Sequence, residues 1–298
     1  MTEEYKRLPN TQYVLSLSYG KDSIACLEAI KLLGLPLDRI VHTEVWATEN
    51  IHADLPPMVA FKEKADRIIL DRYGIKVEHI CATKPVERER ERERERERIT
   101  YESIFYRTRK RKIGGESLYG FPMRKGQWCT SMLKTNSLQS IRIPNTNTIQ
   151  YLGIAADEPE RIKRHTAKDV LLPLVKIGWD EAYCRRWCEE NDLLSPIYSS
   201  SARGGCWFCH NQSVDQLRQL RRNYPDLWAL LLKWDLDSPV TFNSDGHTVH
   251  DFDKRFEYED KEKLPKNKPF RWRMLNDESQ ECGREGAASE AICGECRI

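Results

Sequence analysis

A short polar loop at residues 18–23, with the sequence Ser-Tyr-Gly-Lys-Asp-Ser, carries the groups from which a phosphate site can be built. It joins a predicted strand at residues 13–18 to a predicted helix at residues 23–33. The amides at a helix start and the helix dipole behind them favour a bound anion. The loop therefore predicts a phosphate or pyrophosphate site.

Each residue type in this loop has a role in such a site. Gly20 permits a tight turn and a close approach of the backbone to a ligand. Lys21 and the hydroxyl groups of Ser18 and Ser23 add hydrogen-bond donors. Asp22 would cap the turn or help to position a metal ion. The spacing is not that of a Walker A motif. These residues alone therefore indicate a site for an anion and do not identify the molecule that carries the anion.

The ten cysteines are the second group that could do chemistry. Two pairs have C-x-x-C spacing, Cys206 with Cys209 and Cys293 with Cys296, which is typical of metal sites. The first residues lack an apolar signal-peptide core and no segment is apolar enough to span a membrane, so we expect a cytoplasmic protein with no membrane partner. Clustered cysteines are then metal or redox groups rather than disulfides. Four others are expected to be ordinary buried thiols: Cys26, Cys81, Cys184 and Cys188.

The charged residues are unevenly distributed, although the net charge is only +2. Residues 87–98 are six consecutive Glu-Arg pairs, which predict a solvated insertion without chemistry. A basic segment with interleaved aromatic residues follows at residues 107–125. It could hold phosphates or a nucleic-acid backbone, and a solvated surface loop is an equal alternative. Its basic residues are Arg107, Arg109, Lys110, Arg111, Lys112, Arg124 and Lys125.

Alternating strands and helices must position these groups. The predicted strands are 13–18, 39–46, 75–81, 149–155 and 170–174, and the predicted helices are 23–33, 54–73, 180–191, 212–222 and 225–236. This order predicts an α/β fold, with a parallel sheet and helices on both faces. Asp54 and Asp180 are predicted N-caps. We expect a nucleotide-binding α/β domain at 1–200, with an insertion at 84–126, and a mainly helical, cysteine-bearing module at 201–298.

The loop at residues 18–23 resembles the pyrophosphate loop (PP-loop) of the adenine-nucleotide α-hydrolase superfamily, usually Ser-Gly-Gly-x-Asp-Ser. Tyr19 stands in place of the first glycine. Within that superfamily the chain is most similar to the phosphoadenosine phosphosulfate (PAPS) reductase family, over roughly residues 12–212. The other matching segments are 42–46 (His-Thr-Glu-Val-Trp), 129–134 (Cys-Thr-Ser-Met-Leu-Lys), 153–158 (Gly-Ile-Ala-Ala-Asp-Glu) with Arg161, 173–179, 195–198 (Ser-Pro-Ile-Tyr) and 205–209 (Gly-Cys-Trp-Phe-Cys). Ala155 stands where the family commonly has an arginine.

The resemblance implies a Rossmann-like sheet that binds ATP or a sulfonucleotide with Mg²⁺. The implied nucleotide contacts are Ser16, Ser18, Tyr19, Gly20, Lys21, Asp22, Ser23, Thr43, Trp46, Gly153, Ile154, Asp157, Glu158 and Arg161. Lys21 and Asp22 are the implied catalytic residues.

Three arrangements of the cysteines stay open. In the first, which the resemblance implies, Cys129, Cys206 and Cys209 hold a [4Fe-4S] cluster whose fourth position is open or filled by His210 or a tail cysteine. In the second, the two C-x-x-C pairs form a Zn²⁺ site. In the third, the tail cysteines are redox-active and only the first pair binds metal.

Three functions follow. In the first, an acceptor attacks the α-phosphate of ATP, pyrophosphate leaves, and the activated acceptor receives sulfur. In the second, a thiolate reduces a sulfonucleotide (PAPS or adenylyl sulfate) to sulfite. Glu281-Cys282-Gly283 resembles the tail of such reductases, which makes Cys282 the candidate nucleophile, although Arg284-Glu285 replace the usual apolar residue and histidine. The third is a non-enzymatic nucleotide- or nucleic-acid-binding protein with structural zinc.

The expected partners follow from these functions. They are an adenine nucleotide, a nucleic-acid acceptor on the basic segment, a sulfur donor or thioredoxin-like protein, and a second copy in a homodimer.

Overall fold

A computed structural model describes residues 6–85, 96–110, 115–123, 127–199, 204–262 and 270–275. The chain divides into two compact units, Met1–Cys209 and His210–Ile298. The predicted boundary at residue 200 lies inside the first unit, so the first C-x-x-C pair belongs to that unit.

A five-stranded parallel sheet forms the centre of the first unit, which confirms the α/β class. Its strands are β1 (Thr11–Ser16), β2 (Arg39–Glu44), β3 (Val77–Cys81), β8 (Asn147–Tyr151) and β9 (Val170–Leu171), in the order β3-β2-β1-β8-β9. All four pairings are parallel. Four short strands form two antiparallel ladders in the insertion: β4 (Thr83–Pro85) with β5 (Arg96–Arg98), and β6 (Thr108–Lys110) with β7 (Glu116–Leu118).

The central strand β1 is buried on both faces. Tyr13 and Leu15 are fully buried, and Val14, which points to the opposite face, is 6% exposed. A near-continuous apolar strand is typical of the middle of a parallel sheet. Leu15 pairs with Ile40 of β2 on one side and with Tyr151 of β8 on the other.

The order of the strands reverses at β1. The chain runs from β1 outward to β2 and β3, then returns to place β8 on the other side of β1. In open parallel sheets, ligands bind outside the carboxyl ends of the strands at such a reversal. The loop at residues 18–23 follows β1, and Gly153 follows β8, so both lie at this point.

The helices of the first unit are α1 (Lys21–Leu32), α2 (Pro56–Tyr73), α3 (Tyr101–Phe105), α4 (Asn136–Ser140), α5 (Pro159–Arg164), α6 (Pro173–Ile177) and α7 (Glu181–Glu190). Asp180 caps α7 as predicted, accepting a hydrogen bond from Tyr183 N at 2.6 Å. The predicted cap at Asp54 is wrong, because α2 begins at Pro56 and Asp54 instead pairs with Lys62. The predicted strand at 170–174 ends early, since Pro173 starts a helix.

Two irregular helices complete this unit. A π-helix runs from Thr130 to Thr135, and a 3₁₀ turn spans Pro196–Ser199. A π-helical turn is often found at a functional site. Here it directly follows Cys129 and carries Lys134.

The four thiols expected to be ordinary buried side chains are buried, with one exception. Cys26, Cys184 and Cys188 are buried, whereas Cys81 is partly exposed. Cys81 ends β3, an edge strand of the sheet, which leaves its side chain less covered.

The second unit is helical in its described part, with α8 (Val214–Asn223), α9 (Pro225–Asp237) and α10 (Val249–Glu262). Ser213 and Gln216 form a capping box at the start of α8. Arginines of α8 bond carboxylates of α10, with Arg218 Nη2 2.7 Å from Glu259 Oε2 and Arg221 Nε 2.7 Å from Asp253 Oδ1. The predicted helices at 212–222 and 225–236 are confirmed, and α10 was not predicted.

Candidate nucleotide and thiol site

A cavity of about 830 Å³ opens at the carboxyl ends of β1, β2 and β8. The predicted site residues that line it are Ser16, Ser18, Tyr19, Gly20, Lys21, Asp22, Ser23, Thr43, Gly153, Glu158, Arg161 and Cys206. Trp46, Ile154, Asp157, Cys129 and Cys209 are not part of the lining. The phosphate-loop residues and one thiol of the first C-x-x-C pair therefore share one cavity.

The two serine side chains of the loop hold its turn together. Ser23 Oγ lies 3.0 Å from Ser18 Oγ, accepts from Ser18 N at 3.2 Å and donates to Gly20 O at 2.9 Å. Helix α1 has no side-chain cap at Gly20. A helix start without a side-chain cap can offer its amides to an anion, although the amide of Lys21 is bonded to the Tyr198 hydroxyl.

Tyr19, not Gly20, has the backbone conformation that normally calls for glycine. Its φ is +56°, whereas that of Gly20 is −75°. A left-handed tyrosine costs about 1–2 kcal/mol, and its side chain offsets that cost. It is fully buried, its hydroxyl donates to Asp66 and lies 3.1 Å from His79 Nε2, and its ring meets His42 edge-on at 4.7 Å.

His79 lies beside the Tyr19 hydroxyl and bonds two carboxylates. Its Nδ1 lies 2.8 Å from Glu44 Oε1 and its Nε2 lies 2.8 Å from Asp66 Oδ2. Hydrogen bonds to Asp66 and Glu44 raise the pKa of His79 to about 9, and the bond from His79 lowers the pKa of Glu44 to about 2. The imidazolium therefore carries a charge at neutral pH.

Lys21 is held between carboxylates at the start of α1. Its Nζ lies 2.7 Å from Asp22 Oδ1 and 3.2 Å from Glu181 Oε2. Burial lowers the pKa of Lys21, but the bonds and charges of the two carboxylates outweigh it and raise the net value. Burial raises the pKa of Asp22, with help from the charges of Glu181 and Glu158 and opposed by Lys21.

Tyr198 closes the loop from the 3₁₀ turn. Its hydroxyl accepts a hydrogen bond from Lys21 N at 3.1 Å, and burial raises the pKa of its phenol. The segment 195–198 is part of the family resemblance, which does not predict its contact with the loop.

The wall beside β2 carries a buried cation that the sequence analysis missed. Lys62 of α2 is 7% exposed, and its Nζ bonds Asp54 Oδ2 at 2.6 Å and His42 Nε2 at 2.7 Å. Burial and the Lys62 charge hold the pKa of His42 far below its usual value, so the imidazole is neutral. An Asp eight residues before a Lys is a weak sequence pattern, which explains the omission.

Gly153 is required where β8 passes the start of α1. A Cβ at this position would lie 2.5 Å from Ser23 Cα and 2.6 Å from Asp22 O, distances that side chains do not adopt. Nearby, Arg161 Nη1 bonds both carboxylate oxygens of Glu158, at 2.6 and 2.7 Å. The predicted Arg161 thus lines the cavity as half of an ion pair.

Three predicted contacts have other surroundings. Trp46 lies between the imidazole of His52, at a centroid distance of 3.5 Å, and the guanidinium of Arg98, 3.6 Å from its ring centroid. Ile154 is 1% exposed in the protein interior. Asp157 Oδ1 accepts from Glu181 N at 3.1 Å and so positions α7.

Cys209 is close enough to Cys129 and Cys206 to contribute to the raised pKa of both thiols. Burial raises the pKa of Cys206 to about 12, with Cys209 and Cys129 contributing, while the Lys134 charge lowers it. Burial and the Cys209 charge raise the pKa of Cys129. The protonated thiol is therefore the stable form of Cys129 and Cys206 at neutral pH unless a cation approaches.

The C-x-x-C loop is fixed to the β2–α2 connection. Trp207 donates from its backbone N to Ala53 O at 2.9 Å and from Nε1 to His52 O at 2.9 Å. Phe208 packs on Tyr101, with ring centroids 4.1 Å apart. These contacts hold Cys206 at the cavity wall.

The described residues contain no group of three or more His, Cys, Asp or Glu side chains arranged to hold a metal ion. Cys282, Cys293 and Cys296 lie outside the described residues, as do Arg111, Lys112, Arg124 and Lys125 of the basic segment.

No helix in the described ranges is long and apolar enough to cross a membrane. No protein-family model, no curated protein and no solved structure matches the chain.

Proposed function

We propose that the chain is a PP-loop enzyme of sulfur metabolism, which binds ATP in this cavity and cleaves it to activate an acceptor for sulfur transfer. The observation that carries the proposal is the shared cavity, which residues 18–23 and Cys206 both line. A nucleotide held by its phosphates at the loop would have its reactive phosphorus in the same space as a thiol. The intact Gly20-Lys21-Asp22-Ser23 of the loop resembles the pyrophosphate-cleaving branch of the PP-loop superfamily and favours this chemistry.

The reaction would need little covalent chemistry from the protein. The acceptor attacks the α-phosphorus, the bond from that phosphorus to the β-phosphate oxygen breaks, and the electron pair leaves with pyrophosphate. Lys21 and the amides at the start of α1 stabilise the charge on the leaving group, which is electrostatic catalysis.

Mg²⁺ would supply further charge stabilisation at the phosphates. Mg²⁺ in nucleotide sites is usually held by one or two carboxylates together with phosphate oxygens, so a complete protein cage is not required. Asp22, Glu158 and Glu181 line the cavity around Lys21 and are the residues that would hold it. Ligand phosphates and Mg²⁺ would then replace the carboxylate–lysine contacts of the free protein.

The metal at the thiols is also part of the proposal. Cys129, Cys206 and Cys209 would contribute to a [4Fe-4S] cluster, with Zn²⁺ as the alternative. Metal binding would deprotonate thiols whose pKa is raised in the free protein. Metal and sulfide analysis of anaerobically purified protein separates the two.

The test uses binding and product together. We expect wild-type protein to bind both ATP and pyrophosphate by calorimetry. Lys21→Met should weaken both affinities by about 10- to 100-fold, because a charge-assisted contact is lost. Lys64→Met is the control, since it also removes a lysine charge but Lys64 pairs with Asp192 on the surface.

The released product separates the candidate functions. Pyrophosphate from ATP in the presence of an acceptor supports the proposal. Sulfite from adenylyl sulfate or PAPS would instead identify a sulfonucleotide reductase. Salt-dependent nucleic-acid binding without turnover would identify a non-enzymatic protein.

A further inference from the structure

A tyrosine hydroxyl lies against the phosphate loop and comes from a distant part of the chain. Tyr198 lines the same cavity as residues 18–23, and its side chain is partly buried. Its hydroxyl accepts a hydrogen bond at 3.1 Å from Lys21 N, which is the first amide of α1. Neither the family resemblance nor the electrostatic catalysis by Lys21 assigns a role to Tyr198.

The hydroxyl proton of Tyr198 is not used within the described part of the protein. A phenol oxygen accepts hydrogen bonds at its lone pairs and has one proton to donate. The oxygen accepts from Lys21 N, and no described residue accepts a hydrogen bond from this hydroxyl. Burial raises the pKa of the phenol, so the proton is present at neutral pH. This proton is therefore available to a ligand in the cavity.

The 3₁₀ turn that carries Tyr198 is fixed at its start. Ser195 is 3% exposed, and its Oγ donates to Met58 Sδ at 3.1 Å and accepts from Ile197 N at 3.3 Å. Tyr198 N donates to Ser195 O at 3.1 Å. Pro196 restricts the turn further, because its ring fixes φ. The Tyr198 hydroxyl is thus held in place before a ligand enters, which an effective electrostatic donor requires.

The missing side chain of residue 20 leaves a space beside this hydroxyl. A Cβ on Gly20 would lie 3.4 Å from both Ser18 Oγ and Tyr198 Oη. The φ of Gly20 is −75°, which any residue adopts, so the backbone conformation alone does not call for glycine here. An oxygen atom of a ligand can enter the space that a Cβ would fill and meet the Tyr198 hydroxyl there.

We infer that the Tyr198 hydroxyl is a catalytic hydrogen-bond donor to the pyrophosphate leaving group of ATP, an inference that rests on the proposed function. With ATP bound, the phenol accepts from Lys21 N and donates to a non-bridging phosphate oxygen. The phenol and Lys21 Nζ then stabilise the same developing charge, one as a neutral donor and the other as a cation. No proton is transferred, and the phenol stays protonated throughout.

Tyr198→Phe removes the hydroxyl and keeps the ring, and calorimetry with pyrophosphate measures the effect. We expect the affinity for pyrophosphate to fall about tenfold or more, because a hydrogen bond to a charged group is lost. If the phenol instead blocked the Lys21 amide until a phosphate displaced it, the variant would bind pyrophosphate more tightly than wild type. Tighter or unchanged binding would overturn the inference.

Tyr183→Phe is the matched control. Tyr183 lies on α7, its ring centroid is 4.4 Å from that of Trp179, and it is not part of the cavity lining. This variant removes the same hydroxyl group outside the cavity, so the affinity for pyrophosphate should stay as in wild type. A loss of affinity equal to that of Tyr198→Phe would also overturn the inference.

A fluorinated tyrosine separates donation by Tyr198 from a structural role. Tyr198→3,5-difluorotyrosine lowers the phenol pKa, so the phenol ionises at a lower pH than in wild type. A phenolate still accepts from Lys21 N, but it cannot donate and it repels a phosphate oxygen. The groups that act on this phenol include Lys21 and Asp22 of α1 and Cys188 of α7, and they are the same in both proteins.

The readout is the pyrophosphate affinity of the fluorinated protein relative to that of wild type at the same pH. We expect this ratio to fall about tenfold or more as the phenol ionises, which its absorbance reports. A constant ratio would mean that Tyr198 only positions the Lys21 amide, and it would overturn the inference.

The outcomes separate the inference from the proposed function. If wild-type protein binds pyrophosphate and Tyr198→Phe binds it equally well, Tyr198 is not a donor while the phosphate site stands. If wild-type protein binds neither ATP nor pyrophosphate, the proposed function fails and the inference fails with it.

Discussion

The loop end and the thiol end of the cavity differ in how their charges are balanced. At the loop end, Lys21 lies between Asp22 and Glu181, and Arg161 is bonded to Glu158. At the thiol end, Lys134 lines the cavity and has no hydrogen bond or ion pair within the described ranges. Its charge lowers the pKa of the Cys129 and Cys206 thiols, against the stronger effect of burial.

The difference indicates what each end requires of its ligand. The loop end is preorganised, and an entering phosphate must replace carboxylates around a lysine already in position. At the thiol end, Cys129 and Cys206 are protonated and the exposed Lys134 is unpaired within the described ranges, so a positive charge is available to an anionic ligand. Preorganised donors at the point of developing charge are the most effective form of electrostatic catalysis.

The largest expected effect concerns the backbone at the loop end. Gly153→Ala would place a Cβ 2.5 Å from the backbone of Ser23, and we expect it to lower the free energy of unfolding by about 3 kcal/mol or more. Urea denaturation measures this loss. The matched control is Gly204→Ala, because Gly204 lines the same cavity.

That control separates the effect of a close backbone contact from the effect of adding any methyl group to the cavity wall. A Cβ at Gly204 would meet only the terminal methyl group of Ile197, at 3.2 Å, so the expected change is within about 0.5 kcal/mol. Equal stability of the two variants would show that the approach of β8 to α1 does not shape the loop end.

A smaller effect concerns the charge behind Tyr19. The pKa of His79 is raised from 6.5 to about 9, so its contribution to stability is fully present below pH 6.5 and is lost as the pH rises through about 9. Because this side chain is partly exposed, we expect a loss of only about 1 kcal/mol after solvent screening.

The variant His79→Gln tests this contribution. Urea unfolding at pH 6 and pH 9.5 should show a smaller difference in the variant than in wild type. An unchanged difference would mean that the Glu44–His79–Asp66 group does not stabilise the loop end through its charge.

The sequence identified the loop end better than the rest because its chemistry lies in six consecutive residues. Ser18, Lys21, Asp22 and Ser23 line the cavity as expected. The sequence does not predict the left-handed conformation of Tyr19, because the contacts of its hydroxyl are with Asp66 and His79, which are distant in sequence. Such a compensation cannot be read from the loop itself.

The site residues that the sequence does not predict also depend on contacts between distant parts of the chain. Lys62 and Glu181 reach the cavity from two different helices, and Tyr198 reaches it from a 3₁₀ turn. Their partners are set by tertiary packing and have no fixed spacing in the sequence. Trp46 shows the converse, since the resemblance implies a nucleotide contact there while the structure places Arg98 and His52 3.6 and 3.5 Å from its ring centroid.

The proposed function requires that a nucleotide bind in the same cavity that the Cys206 thiol lines. The most direct measurement is the rate at which iodoacetamide alkylates Cys206 at pH 9, followed by peptide mass spectrometry, with and without saturating Mg²⁺ and ATP. The partly exposed Cys81 is the internal control. We expect ATP to slow the modification of Cys206 several-fold and to leave the modification rate of Cys81 unchanged. An unchanged Cys206 rate at an ATP concentration that calorimetry shows to be saturating would contradict it.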